Sequence, residues 1–172
     1  VIQIPFKIDT ETDRMEKEEK AVISLHGLHI LLVEDNELNM EIAEFIVTNE
    51  GAVVTKAKNG KEAVDYFGKS SVGTYDAILM DVMMPVMDGL TASETIRNMN
   101  RADAKTIPII AMTANAFTDD KMKAKEAGMN EHIAKPLNRE VLVETVFKVI
   151  TKKSRGNKAE NEMHVISDEN EI

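Results

Sequence analysis

Cysteine and tryptophan are absent from this chain of 172 residues, and aromatics make up only 4% of it. Without cysteine there is neither a disulfide framework nor a thiolate metal site. The four histidines, His26, His29, His132 and His164, show no metal-ligand spacing, and His29, at the start of an apolar run, reads as structural. No apolar stretch approaches the roughly 20 residues that span a bilayer, and no signal-peptide pattern is present. The glycine loops of dinucleotide and nucleotide-phosphate cradles are missing, as is the Gly-x-Ser-x-Gly elbow of a serine nucleophile. Positive charge is scarce: 21 Lys and Arg face 30 Asp and Glu, for a net charge of −9 and a pI near 5.0. That balance argues against a nucleic-acid surface. The expectation is a soluble, acidic, cytoplasmic domain.

With 43% hydrophobic and 30% charged residues, the chain can fold as one domain of ordinary size with some tail. It opens on Val1-Ile2-Gln3-Ile4-Pro5-Phe6-Lys7-Ile8, a strand-like piece with nothing before it to pair with, as in a fragment of a longer polypeptide. Residues 9–25 begin as an almost wholly charged or polar stretch and read as a linker. Residues 153–172 are polar, mixed in charge, and expected to be a disordered tail.

Between these ends, strand and helix patterns alternate. His29–Val33 is a short apolar strand; Leu38, Ile42, Phe45 and Ile46 share a helical face that Gly51 can end. Ala52–Lys56 is β-branched in character, and Ala63, Val64 and Phe67 mark a second helix. Ala77–Met80 is a third strand, followed by a helix around Gly89–Asn98 with Leu90 and Ile96. Pro108–Met112 is a fourth strand, Asp119–Ala127 a helix stopping at Gly128, and Asn130–Ala134 a fifth strand. Val141, Leu142, Thr145, Val146, Val149 and Ile150 define an amphipathic last helix, with Asn138 as its cap. Five strands alternating with five helices predict an α/β fold, a parallel sheet covered on both faces. Such folds bind ligands at the carboxyl ends of their strands.

The polar residues fall at those ends. Glu34 and Asp35 follow the first strand, Asp81 the third, Thr113 the fourth and Lys135 the fifth. At about 4–6 Å, two carboxylates repel by roughly 1 kcal/mol in water and by more near a protein surface, so such a cluster calls for a cation. Each residue has a plainer reading: Asp35 or Asn36 as a helix cap, Thr113 as a turn residue, Lys135 as an exposed lysine. Four strand ends converging on one edge favour a shared site. There Asp81 can take a phosphoryl group as an acyl phosphate, and Glu34 and Asp35 hold a magnesium ion, for which hard oxygen ligands suit. The Met83 carbonyl can join them, Lys135 supplies a fixed positive charge to a phosphoryl oxygen, and Thr113 offers a hydroxyl that can reorient.

Leu31–Asn36, Ile78–Gly89, Met112–Ala116 and Lys135–Leu137, with 46, 32 and 22 residues from Asp35 to Asp81 to Thr113 to Lys135, closely resemble the receiver domain of two-component signalling. The resemblance covers residues 26–152. It implies a doubly wound, flavodoxin-like sheet in the order 2-1-3-4-5, with phosphorylation at Asp81 from a phosphohistidine. It further implies magnesium held by Asp35, Asp81 and the Met83 carbonyl, Glu34 acting through water, and a cis Lys135–Pro136 bond. The opening segment 1–8 resembles the final strand of a histidine-kinase ATP-binding domain. Together they suggest a hybrid histidine kinase, with a membrane-anchored parent allowed, and as partners a kinase domain of the same or another chain and a histidine phosphotransfer protein. No nucleic-acid or direct membrane contact is expected of the fragment.

Two positions depart from the family pattern. His132 stands where an aromatic switch residue is often found, pairing with Thr113 as the expected switch. Met83, two residues after Asp81, is apolar and places an attacking water poorly, which predicts a long-lived phosphorylated form. The rivals are a receiver-like interaction module that never carries phosphate and an Asp-nucleophile phosphohydrolase. The first would lack a site residue, and all are present; the second would want an acid where Met83 stands.

Overall fold

In the computed structural model, residues 23–114 and 118–168 are described, with side chains for 23–114 and 121–153. The expected kinase remnant at 1–8, most of the linker, and Asn115 and Ala116 of the third motif lie outside the described residues. The elements run β1 (His29–Val33), α1 (Glu37–Asn49), β2 (Val53–Ala57), α2 (Gly60–Lys69), β3 (Ala77–Asp81), α3 (Gly89–Arg97), β4 (Ile109–Thr113), α4 (Thr118–Glu126), β5 (Glu131–Ala134) and α5 (Arg139–Asp168). The expected alternation holds, with ends displaced by a residue or two except at the end of α5. The five strands form one parallel sheet in the order β2-β1-β3-β4-β5.

Side chains alternate across the strands, and the sheet divides its apolar residues accordingly. Leu31, Val33, Ile78, Met80, Ile109 and Ala111 pack with Ala63 and Phe67 of α2, Ala92 and Ile96 of α3, and Ala124 of α4. Ile30, Leu32, Leu79, Ile110, Met112 and Ile133 face the other way, toward α1 and α5. β3 lies between β1 and β4 and is buried along its whole length, whereas β2 is a partly exposed edge.

The helix starts follow side-chain caps. Asn36 accepts from the Asn39 amide at 3.1 Å, Asn59 from Glu62 at 2.9 Å, Asp88 from Thr91 at 2.8 Å, and Asn138 from Val141 at 3.2 Å. Gly51 and Gly128, after α1 and α4, take φ of 88° and 84°, the left-handed geometry that stops a helix.

The structure corrects the expected inner face of α1. Met40, Ala43, Ile46 and Val47 point into the core, while Leu38, Ile42 and Phe45 are exposed. The helix carries two apolar stripes at helical spacing, and spacing alone does not say which one the sheet covers. Val141 of α5 is likewise exposed, and Val143 takes an inner place.

The ends of the domain also shift. Leu25 is fully buried and Ile23 packs against the same cluster, so packing begins inside the segment expected as linker. α5 runs to Asp168, through the segment expected as a polar tail. No proline follows Pro136, and a lone Gly156 disfavours helix by only about 1 kcal/mol. Among the described residues, no helix is long and apolar enough to cross a membrane.

Ser93, on α3, is fully buried, and its Oγ has no hydrogen-bond partner. An unpaired buried hydroxyl is destabilising. Ser93→Ala is expected to stabilise the fold by about 1 kcal/mol, read as a raised Tm in thermal denaturation. A lowered Tm would show that the hydroxyl has a partner in solution.

Candidate functional site

The sheet register assembles the site. Val33 pairs with Met80, so Glu34 and Asp81 leave β1 and β3 side by side. Asp81 pairs with Met112, and Thr113 pairs with Ala134, so Thr113 and then Lys135 follow along the same edge. The Lys135 amide donates to the Thr113 carbonyl at 2.8 Å, which fixes the chain where it leaves β5. The Lys135–Pro136 bond is cis, as the resemblance implies.

The Lys135 ammonium bridges two carboxylates, lying 2.6 Å from Glu34 Oε2 and 2.9 Å from Asp81 Oδ2. Glu34 is 2% exposed and Asp81 5% exposed, whereas Asp35 faces solvent. Each of the three acids places an oxygen within 4.8 Å of the others. Three carboxylates against one ammonium leave −3 + 1 = −2, a hard, oxygen-only donor set that suits a small divalent cation.

Burial raises the Asp81 carboxyl above its ordinary 3.8; the hydrogen bond from Lys135 opposes this, and the nearby Glu34 charge adds to it. Burial works against charge on Lys135, but its hydrogen bonds to Glu34 and Asp81 outweigh that and hold it above 10.5.

Several contacts that the sequence does not announce complete the site. Asn39 Nδ2 donates to Glu34 Oε1 at 3.2 Å, and the Asn36 amide reaches the same oxygen at 3.3 Å. The Asp88-Gly89 pair that opens α3 was the legible hint of a tight approach: a Cβ on Gly89 would come within 2.1 Å of the Asp81 carbonyl oxygen. A cleft of about 540 Å³ opens beside Glu34 and Asp35 and extends between α1 and α2 to Glu62 and Tyr66.

The remaining expected residues are placed as follows. The Met83 amide points at Asp81 Oδ1 at 3.4 Å, a long contact, and its side chain is 78% exposed. Thr113 is buried at the end of β4. His132 is half-buried, pairs with Ala111, and lines a groove with Lys121 and Asn130 on the α4 side of β5. Burial, then the Lys121 charge, lowers its pKa below 6.5, and the Glu131 charge opposes them.

The response regulator receiver domain family matches residues 30–147, and the chain belongs to it. Curated relatives include hybrid signal transduction histidine kinase I of Dictyostelium discoideum, 37% identical over 132 residues. Kinase M of the same organism is 41% identical over 127 residues. The matched parts are 76% and 73% of this chain but only 8% and 5% of those proteins. The receiver domain of a sensor histidine kinase from Pseudomonas aeruginosa, solved with magnesium in its active-site cleft, is 39% identical with a TM-score of 0.66; 73% of this chain matches 98% of that one. The chain is thus a receiver domain homologous to those of hybrid histidine kinases.

A carboxylate whose folded pKa is raised contributes stability below its unfolded pKa and loses it as pH rises through the folded value. In chelator-treated buffer, Asp81→Asn is therefore expected to raise Tm at pH 7, with the gain shrinking as pH falls toward 3.8. A gain that grows on acidification would contradict the raised Asp81 pKa.

Proposed function

We propose that Asp81 is the phosphoacceptor of this receiver, taking a phosphoryl group from a phosphohistidine within a two-component phosphorelay. One observation carries the reading: the Lys135 ammonium spans Glu34 and Asp81 while Asp35 stands within 4.8 Å of both carboxylates. In the transfer, an Asp81 carboxylate oxygen bonds to phosphorus as the bond from phosphorus to the donor imidazole nitrogen breaks. The electron pair of that bond stays on the nitrogen, and an acyl phosphate forms on Asp81.

Lys135 already sits at hydrogen-bond distance from Asp81 and offers its charge to a phosphoryl oxygen as charge builds there. Asp35, Asp81 and the Met83 carbonyl would hold a magnesium ion, with Glu34 acting through water. Bound there, the ion neutralises charge on the phosphoryl group. Thr113, at the neighbouring strand end, supplies a hydroxyl to the same group, and together with His132 forms the expected switch. The exposed Leu38, Ile42 and Phe45 of α1 offer an apolar face to a protein partner.

The parent is read as a hybrid histidine kinase acting in the cytoplasm, with the kinase domain as donor and a histidine phosphotransfer protein as next station. The identity to hybrid kinases supports this.

Labelling with acetyl phosphate and magnesium tests the reading. The unmodified chain is expected to take up one phosphoryl group and Asp81→Asn none; equal labelling of the variant removes Asp81 as acceptor. Met83 brings no polar group to orient water, so the phosphorylated form is expected to persist for longer than about a minute. Decay within that time would show that another group orients the water.

A further inference from the structure

We propose that Met83 is a redox modification site: a peroxide converts its thioether to the sulfoxide, and the added oxygen shortens the life of the phosphoryl group on Asp81. The inference rests on the phosphoacceptor reading above. It starts from the sulfur in the chain. There is no cysteine and there are 11 methionines, so thioethers are the sulfur that an oxidant meets, and exposure decides which of them reacts.

The fold separates the methionines sharply. Met40, Met80, Met84, Met112 and Met129 are 9% exposed or less, and Met87 and Met99 pack against the core. Among the described residues, two stand out in solvent: Met83 at 78% and Met122, on α4, at 57%. At 78% exposure the Met83 side chain contributes almost nothing to the core, so making it polar costs the fold little. Oxidation of the buried methionines would instead disrupt packing.

Met83 differs from Met122 in where it stands. It is the second residue after Asp81, and its amide lies 3.4 Å from Asp81 Oδ1. The loop is held there by the Gly89 amide, which donates to the Val82 carbonyl at 3.0 Å. The Met83 side chain therefore starts at the rim of the acceptor. It is unbranched and turns about three bonds, so its sulfur can swing over the mouth of the site.

The chemistry balances with hydrogen peroxide as oxidant. A sulfur lone pair attacks one peroxide oxygen as the O–O bond breaks; sulfur loses two electrons, the peroxide is reduced, and water leaves. A weak acceptor becomes a strong one. The sulfoxide oxygen accepts a hydrogen bond from a water and holds that water toward phosphorus. In hydrolysis the water oxygen bonds to phosphorus and the bond from phosphorus to the Asp81 oxygen breaks. Its electron pair stays on the carboxylate, and the proton goes to solvent. Oxidation thus turns a side chain that leaves water unoriented into one that orients it.

The test uses the whole chain. It is treated with dilute hydrogen peroxide, desalted, mapped by peptide mass, and labelled with acetyl phosphate and magnesium; decay is followed once the donor is removed. Met83 is expected to gain one oxygen ahead of the buried methionines. Decay is expected to quicken by about fivefold, the effect of one hydrogen bond on a rate. Reduction by the two methionine sulfoxide reductases with dithiothreitol is expected to restore slow decay. Met83→Leu is expected to decay at one rate before and after peroxide, whereas Met122→Leu still responds. Met83→Gln, with a side-chain carbonyl of similar reach, is expected to quicken decay without peroxide. Oxygen uptake at Met83 no faster than at the buried methionines overturns the proposal. So does unchanged decay once Met83 is fully oxidised, or an equal response to peroxide in Met83→Leu. Failure of the untreated chain to label at all would instead sink the phosphoacceptor reading.

Discussion

The contact on which the site depends is the Lys135 ammonium held between Glu34 and Asp81, 2.6 and 2.9 Å away. Lys135 and Glu34 are 101 residues apart, and the parallel register of β1, β3, β4 and β5 is what brings them together. Two nearly buried carboxylates side by side would be strongly unfavourable alone. One lysine satisfies both, and the exposed Asp35 keeps the cluster negative. A site with that balance is set to receive a cation and then an anion. Electrostatics and topology are therefore one constraint: a one-residue slip in β5 would move Lys135 off the edge and leave both acids unpaired.

The same edge shows how rigid backbone positions a reactive side chain. Asp81 is the last residue of the fully buried central strand. The loop after it is gripped by Gly60 from α2 and by Gly89 at the start of α3. That grip fixes the Asp81 carboxylate and the loop after it together. The cleft beside Glu34 and Asp35 stays open, so reactants approach a preformed centre, which lowers the ordering cost of transfer.

Much of this was legible in the sequence, because the apolar runs and the polar residues that end them report the same sheet edge. β1 matched its run from His29 to Val33, and Asn138 capped α5 as expected. Geometry that depends on packing was not legible. On α1, Leu38, Ile42 and Phe45 are as apolar as the Met40, Ala43, Ile46 and Val47 stripe, yet they face outward because the sheet covers the other side. The support of Glu34 by Asn39 follows from cap geometry rather than from any motif. Val86 takes a φ of 70° against local preference, since a valine carries no signal for positive φ.

The central claim is that Asp81, and not Asp35 or another acid of the cluster, receives the phosphoryl group. Borohydride reduction of the chain after transfer from a phosphohistidine domain, followed by peptide mass mapping, tests it most directly, because an aspartyl phosphate is reduced to homoserine. The account predicts homoserine at position 81 and unaltered side chains at Glu34 and Asp35. Reduction at either of those two residues, with position 81 intact, would contradict it.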